Sequence, residues 1–348
     1  MTMRRLLYVF TLVLLGSAWL PLASAQATTS GGTSTPPLIA IGNPDDFAAK
    51  VGSLTAPWVD PLFGTNEFGA VASDPTNGPL IAVVDASGNV WAKEASLTAP
   101  WTEEINYSTS GVYAEQVAVA SDPTNGPLIV VADDNGNVWA KEGSLTAPWT
   151  EEINESSSGI GAEQVAVASD PTNGPLIAVL DQHGNVWAKE GSLTAPWMEE
   201  FTGAGYPIAV ASDPTNGPLI AVVDGTHGNV YAKEGSLTAP WYDEYNTASE
   251  DVAVASDPTN GPLIAVLTTG GIVYAKEGSL TAPTWYDEYN GTAVVFGALA
   301  VASDPTNGPL IAVVDTSDTA WAKEGSLTAA TWTEEYDSGN AWAVAVAG

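Results

Sequence analysis

The chain contains no cysteine, which excludes disulfides, thiol nucleophiles and cysteine-ligated metals together. Arginine occurs only as Arg4 and Arg5, and histidine only as His183 and His227. Beyond residue 25 the cationic side chains are seven lysines, set against 41 carboxylates, a net charge of −34. Such a balance repels phosphate backbones and anionic bilayers, so nucleic acid is not an expected partner. No later stretch is apolar and long enough to cross a bilayer, and no segment shows a helical period. Phosphate loops, nucleophile elbows and zinc helix motifs are missing too.

What is present begins with an address. Arg4 and Arg5 precede an apolar run from Leu6 to Leu15, and Ala23-Ser24-Ala25 offers a small-x-small cleavage site before Gln26. Residues 1–25 are therefore predicted to be a secretory signal, and the protein to be secreted, with no membrane insertion after cleavage. Residues 26–35, rich in Thr, Ser and Gly, read as a flexible lead. Residues 36–348 read as a single domain.

That domain repeats itself. Ser-Asp-Pro-Thr-Asn-Gly-Pro-Leu-Ile begins at Ser73, Ser121, Ser169, Ser212, Ser256 and Ser303. Gly-Ser-Leu-Thr-Ala begins at Gly52, Gly143, Gly191, Gly235, Gly278 and Gly325, and Ala95 opens its variant in the remaining unit. In one unit, strand a is predicted over Val117–Ala120, b over Pro127–Ala132, c over Asn137–Glu142 and d over Trp149–Ile153. Turn residues separate them: Asp122–Gly126, Asp134-Asn135-Gly136 and Gly143–Pro148.

Four short strands in forty-odd residues is the size of a propeller blade. The phase of the ends predicts closure. The first strand of the domain, Pro37-Leu38-Ile39-Ala40, is a strand b, whereas Ala343–Ala347 is a strand a. A ring closes when the last strand pairs into the first blade, whereas an open solenoid needs caps instead. Strand b recurs at Leu38, Leu80, Leu128, Leu176, Leu219, Leu263 and Leu310, giving seven blades. The expected fold is thus an all-β, seven-bladed propeller of four-stranded antiparallel blades, with the small Val/Ala strand a innermost.

Candidate functional residues lie on strand c. It carries Trp91, Trp139, Trp187, Tyr231, Tyr274 and Trp321, with Ala48 at the matching place in blade 1. Two residues on, hence on the same strand face, stand Lys93, Lys141, Lys189, Lys233, Lys276 and Lys323, with Lys50 in blade 1. An aromatic plate beside an ammonium and carboxylates suits a sugar. The alternative is packing, with each lysine ion-paired across a blade junction. Strand d opens with Trp58, Trp101, Trp149, Trp197, Trp241, Trp285 and Trp332, which read as inter-blade packing. Acid pairs such as Glu103-Glu104 recur too regularly in strand d to be one glycosidase pair. His183 and His227 read as surface turn residues. Asp133–Asn137 faintly resembles a calcium loop but lacks the later bidentate acid. No metal site and no cofactor are expected.

The unit Val-Ala-Val-Ala-Ser, Gly-Pro-Leu-Ile-Ala-Val-Val-Asp, Gly-Asn-Val-Trp-Ala-Lys and a closing Trp resembles the repeat of the PLL-like and tachylectin-like (tectonin-like) propeller lectins. The resemblance spans nearly the whole domain. It implies shallow sugar sites between adjacent blades, lined by the strand-c aromatics, with glycans as partners; the sequence itself shows no catalytic constellation, so no enzymatic activity is expected. This sequence departs from that repeat by lacking arginine and by having one tryptophan at strand d. The expectation is a secreted, multivalent carbohydrate-binding protein. The competing expectation is a protein-interaction scaffold using the face where the b–c and d–a loops vary.

Overall fold

A computed structural model describes residues 36–42, 46–64, 66–304, 306–329, 331–336 and 341–348. The signal and lead predicted for 1–35 lie outside the described residues. Seven four-stranded antiparallel sheets form, each in the order a-b-c-d from the inside outward. Strands a of successive blades lie beside one another around the centre, where Ala and Val are small enough for the blades to converge. Strand b is buried almost throughout in blades 2 to 7 because it lies between neighbouring blades. In blade 1, Leu38–Gly42 pairs on one side with Asp46–Val51 and on the other with Ala343–Ala347, with Leu38 opposite Ala347 and Gly42 opposite Ala343. The ring is closed as the phase of the ends predicted.

Strand a differs most from the sequence reading. Strand a of blade 3 runs Ala114–Asp122 because Ser121 and Asp122 continue the ladder opposite Pro127 and Gly126. Its start is bulged between Ala114 and Gln116, which places Glu115 outside the pairing. Single helical turns also occur at Tyr107–Ser110 and Glu155–Ser158, too short to show a period. Asn106 and Asn154 cap them by accepting from Thr109 N and Ser157 N.

The repeated a–b turn ties blades together. Asp122 Oδ1 accepts from Thr124 N and Asn125 N, both at 2.8 Å, while Oδ2 accepts from Asn125 Nδ2 and from Ser169 Oγ of the next blade. The same serine-to-aspartate bond joins Ser121 to Asp74, Ser212 to Asp170, Ser256 to Asp213 and Ser303 to Asp257. The near-identity of this loop thus has a structural cause. Its glycine is required: Gly126 has φ 77°, and an added Cβ would stand 2.8 Å from Gly143 O.

Candidate functional site

Strand c turns its aromatic and its lysine toward the preceding blade, so each site is built at a blade junction. The aromatics Trp91, Trp139, Trp187, Tyr231, Tyr274 and Trp321 are all half-buried. Each tryptophan is held at its nitrogen by the aspartate that opens the b–c turn. Trp91 Nε1 donates to Asp85 at 2.9 Å, and Trp139, Trp187 and Trp321 donate to Asp133, Asp181 and Asp315 at 3.0 Å. Burial would raise the Asp85 and Asp181 carboxyls, but the bonds from Asn89 and Trp91, and from Trp187, Asn185 and His183 N, bring both below the usual range. At three junctions the ring is tilted against an aromatic near the end of strand d in the preceding blade. Phe63 lies 6.1 Å from Trp91, Phe201 5.5 Å from Tyr231 and Tyr245 5.8 Å from Tyr274. The result is a partly exposed aromatic shelf of fixed orientation at six junctions, and Ala48 leaves the seventh without one.

The tyrosine shelves differ from the tryptophan ones. Tyr231 sits where Asp224 accepts from Thr226, His227 and Asn229 backbone nitrogens instead of from an indole. Tyr274 has Thr268 at that place, bonded to Ile272. Four junctions thus present an indole pinned by a carboxylate, and two present a phenol.

The lysines are not part of a solvent-facing site. All seven are at most 3% exposed. Lys141 is ion-paired with Glu104, Lys189 with Glu152, Lys233 with Glu200, Lys276 with Glu244, Lys323 with Glu288 and Lys50 with Glu335, each acid coming from strand d of the preceding blade. Each Nζ also donates to a c–d loop carbonyl, Leu145 O in the case of Lys141. It stacks as well on the strand-d tryptophan of its own blade, 5.3 Å from the Trp149 centroid. In the six paired lysines, carboxylate, carbonyl and ring together engage the ammonium group. Lys141, Lys189, Lys233, Lys276 and Lys323, with Lys50, thus make the ion pair across a blade junction that the packing alternative expected, and Lys93 is buried with its Nζ on Leu97 O and the Trp101 ring. The strand-d tryptophans serve the same purpose: Trp149 Nε1 donates to Glu104 O at 3.0 Å and Trp58 Nε1 to Glu335 O at 2.8 Å.

The missed residues are these glutamates. The acid pairs looked peripheral, yet within each pair the roles divide: Glu103 is exposed and Glu104 is the buried partner of Lys141. The signal was a glutamate three residues after the strand-d tryptophan in six blades, matched to a lysine in the next.

The face formed by the b–c and d–a loops carries a cleft of about 310 Å³ between blades 3 and 4. Glu115, Asp133, Asp134, Glu155 and Glu163 line it, with Gln182 at one side. Asp133 is not a free metal ligand there. Its oxygens accept from Asn135 N, Asn137 N and Nδ2, and Trp139 Nε1. No group of three or more potential metal ligands occurs among the described residues. No helix among them is long and apolar enough to cross a membrane.

No protein-family model matches the chain, and no curated protein matches it. Solved structures do. BBS1N, in complex with ARL6DN, superposes with a TM-score of 0.56 at 15% identity, covering 89% of this chain and 98% of that one. AofleA from Arthrobotrys oligospora gives 0.55 at 9% identity over 94% and 97%. AztD from Citrobacter koseri gives 0.52 at 8% identity over 88% and 83%. At these identities the likeness is one of fold.

Proposed function

We propose that this propeller is a multivalent carbohydrate-binding protein without catalysis, exported by the signal at residues 1–25. The observation that supports this reading is the set of six half-buried aromatic shelves at blade junctions, four of them pinned by an aspartate. A fixed ring stacks on the C–H face of a sugar with little loss of side-chain entropy, and neighbouring carboxylates and backbone groups take hydroxyl hydrogens. Shallow sites of this kind bind weakly one at a time and gain avidity on a surface that repeats its glycan. The PLL-like and tachylectin-like repeat agrees with sites between blades. With the lysines engaged elsewhere, the sites here are acidic and aromatic.

The test is a glycan array with the mature protein, followed by calorimetric site counting. Wild type is expected to show at most six equivalent sites, because blade 1 has Ala48. Trp139→Ala is expected to remove one site and leave the others. Seven equivalent sites, or an unchanged count in Trp139→Ala, would exclude the strand-c aromatics as plates. A second reading, a scaffold for a basic protein segment, is supported by the five carboxylates of the cleft between blades 3 and 4. It predicts a silent array and binding of a lysine-rich peptide that weakens with salt.

A further inference from the structure

Each aromatic shelf has an acid directly across the sheet from it. Glu103, Glu151, Glu199 and Glu334 pair with the four tryptophans of strand c, and Asp243 and Asp287 pair with Tyr231 and Tyr274. Residues opposite one another in an antiparallel ladder share a sheet face, with Cβ atoms about 5 Å apart. Ring and carboxylate therefore lie side by side at all six shelves, the longer acid beside the larger ring and the shorter acid beside the smaller. All six acids are exposed. None is in an ion pair among the described residues, whereas the glutamate after each, such as Glu104, is buried on a lysine. Three of them accept from amides: Glu103 from Asn106 Nδ2 at 2.7 Å, Glu151 from Asn154 Nδ2 at 2.8 Å and Asp287 from Asn290 Nδ2 at 2.9 Å. The described residues include no arginine, and every lysine among them is at most 3% exposed.

The junction between blades 5 and 6 shows how closely the parts converge. Tyr274 is tilted 31° against Tyr245 of the preceding blade, with centroids 5.8 Å apart. Burial, then Tyr274 and then the Asp287 carboxylate push the Tyr245 phenol up, against a hydrogen bond with Thr247 that pulls it down. Two rings and an acid thus share one field. An aromatic face is itself negative, and a carboxylate beside it deepens that potential. An anion set there is repelled, a neutral hydroxyl gains one hydrogen bond, and an ammonium gains from ring and acid together.

We infer that the shelves select an amine-bearing sugar, an oligomer of 2-amino-2-deoxyhexose whose amines are free and protonated. The inference rests on the carbohydrate reading and narrows it to one class. When the C–H face of such a pyranose stacks on the ring, its equatorial amine projects from the rim, where a neighbouring carboxylate takes it in a charge-assisted hydrogen bond. The same carboxylates exclude uronates and sulfated sugars. An oligomer with an amine on every residue gains avidity from six such sites.

The test is calorimetry on the mature protein at about pH 6 and one fixed salt concentration, where the sugar amine is protonated. The probes are a glucosamine hexamer, its fully N-acetylated counterpart and a lysine hexamer. The glucosamine hexamer is expected to bind at least about tenfold more tightly than the acetylated one. A variant carrying Glu103→Gln, Glu151→Gln, Glu199→Gln, Asp243→Asn, Asp287→Asn and Glu334→Gln is expected to bring the two within about threefold. These are six exposed positions out of 41 acids, so a preference due to overall charge would largely survive the change. Should that variant fail to fold, Glu151→Gln alone is expected to remove one tight amine site. Equal binding of the two sugars overturns the inference and leaves the carbohydrate reading standing, whereas silence toward both removes that reading and the inference with it. A lysine hexamer that binds as tightly as the glucosamine hexamer overturns it in favour of a basic peptide. A preference that survives in the six-amide variant overturns it as well.

Discussion

The junction between blades 3 and 4 and the junction between blades 1 and 2 have the same backbone and different chemistry. At the first, Lys189 meets Glu152, Trp197 Nε1 meets Glu152 O at 3.1 Å, and Val138 of strand c is a small buried residue. At the second no acid is paired with Lys93 among the described residues, and Phe47 replaces the valine. Phe47 is fully buried, and the strand-a residue of blade 2 that faces it is Gly69, where an added Cβ would stand 2.6 Å from Phe47 Cε2. Blade 3 has Val117 at that strand position, and blade 4 has Val165. A Phe–Gly pair thus fills the space of a Val–Val pair, a volume-conserving swap. Junctions can therefore be filled by a Val–Val pair beside an ion pair or by a Phe–Gly pair, and the two solutions coexist in one ring.

The largest expected effect comes from removing the strand that makes blade 1 a blade at all. Deleting residues 341–348 strips the inner strand from Leu38–Gly42 and leaves an open edge there. Loss of a cooperative thermal transition, with aggregation, is the expected result. A truncated protein that melts like the intact one would mean the ring does not depend on its closing pair.

Next comes the conversion of a regular junction into the apolar kind by half. Glu104→Leu leaves Lys141 buried without a counter-ion and is expected to cost about 3 kcal/mol, read by urea unfolding. Adding Lys141→Met should recover much of that loss, because an apolar pair of similar volume often replaces a buried ion pair at no cost. If the double variant is no better than the single one, the apolar junction depends on Phe47 and Gly69 and not on charge removal.

Acidity sharpens the comparison further. Asp251, buried at the start of strand a in blade 6, is pushed up to about 8 by burial, against backbone bonds from Val252, Leu299 and Gly297 that pull it down. Its Oδ2 has no hydrogen-bond partner among the described residues. Glu104, Glu152 and Glu335 are raised by burial against the pull of their lysines, and Glu234 is raised to about 7. A carboxyl whose folded value exceeds its unfolded value keeps in the native state a proton that the unfolded chain releases. Stability then falls as pH rises from about 4 toward 8. Lys93, lowered by burial, works with the opposite sign as one group against many. Asp85 and Asp181, held low, lose their contribution only in stronger acid. The melting temperature is therefore expected to peak on the acid side of neutrality. Asp251→Asn should melt higher than wild type at pH 8 and close to it at pH 5. A wild-type curve flat from pH 5 to 8 would contradict this account.

The smallest effect is a backbone one. Ala95 has φ 77° at the place where the corresponding residues Gly52, Gly143, Gly191, Gly235, Gly278 and Gly325 are glycine. Left-handed geometry strains a residue with a Cβ, so Ala95→Gly is expected to stabilise by about 1 kcal/mol. An unchanged or lowered melting temperature would show that the loss of glycine entropy on folding outweighs the relief.

Much of this architecture was legible before any coordinates. A repeated string with turn residues at fixed offsets determines strand number, and the mismatch in phase between Leu38 and Ala343 determines closure, because strand pairing leaves no other use for a spare inner strand. The aromatic positions on strand c were legible for the same reason, since period two places Trp139 and Lys141 on one face. What that face meets was not legible. The partner of Lys141 is Glu104, 37 residues earlier and in another blade. Only the stacking of blades decides that this lysine is buried while Trp139 stays half-open. Local chemistry sets which side chains share a strand face, whereas the approach of two separately folded blades sets which of them see water.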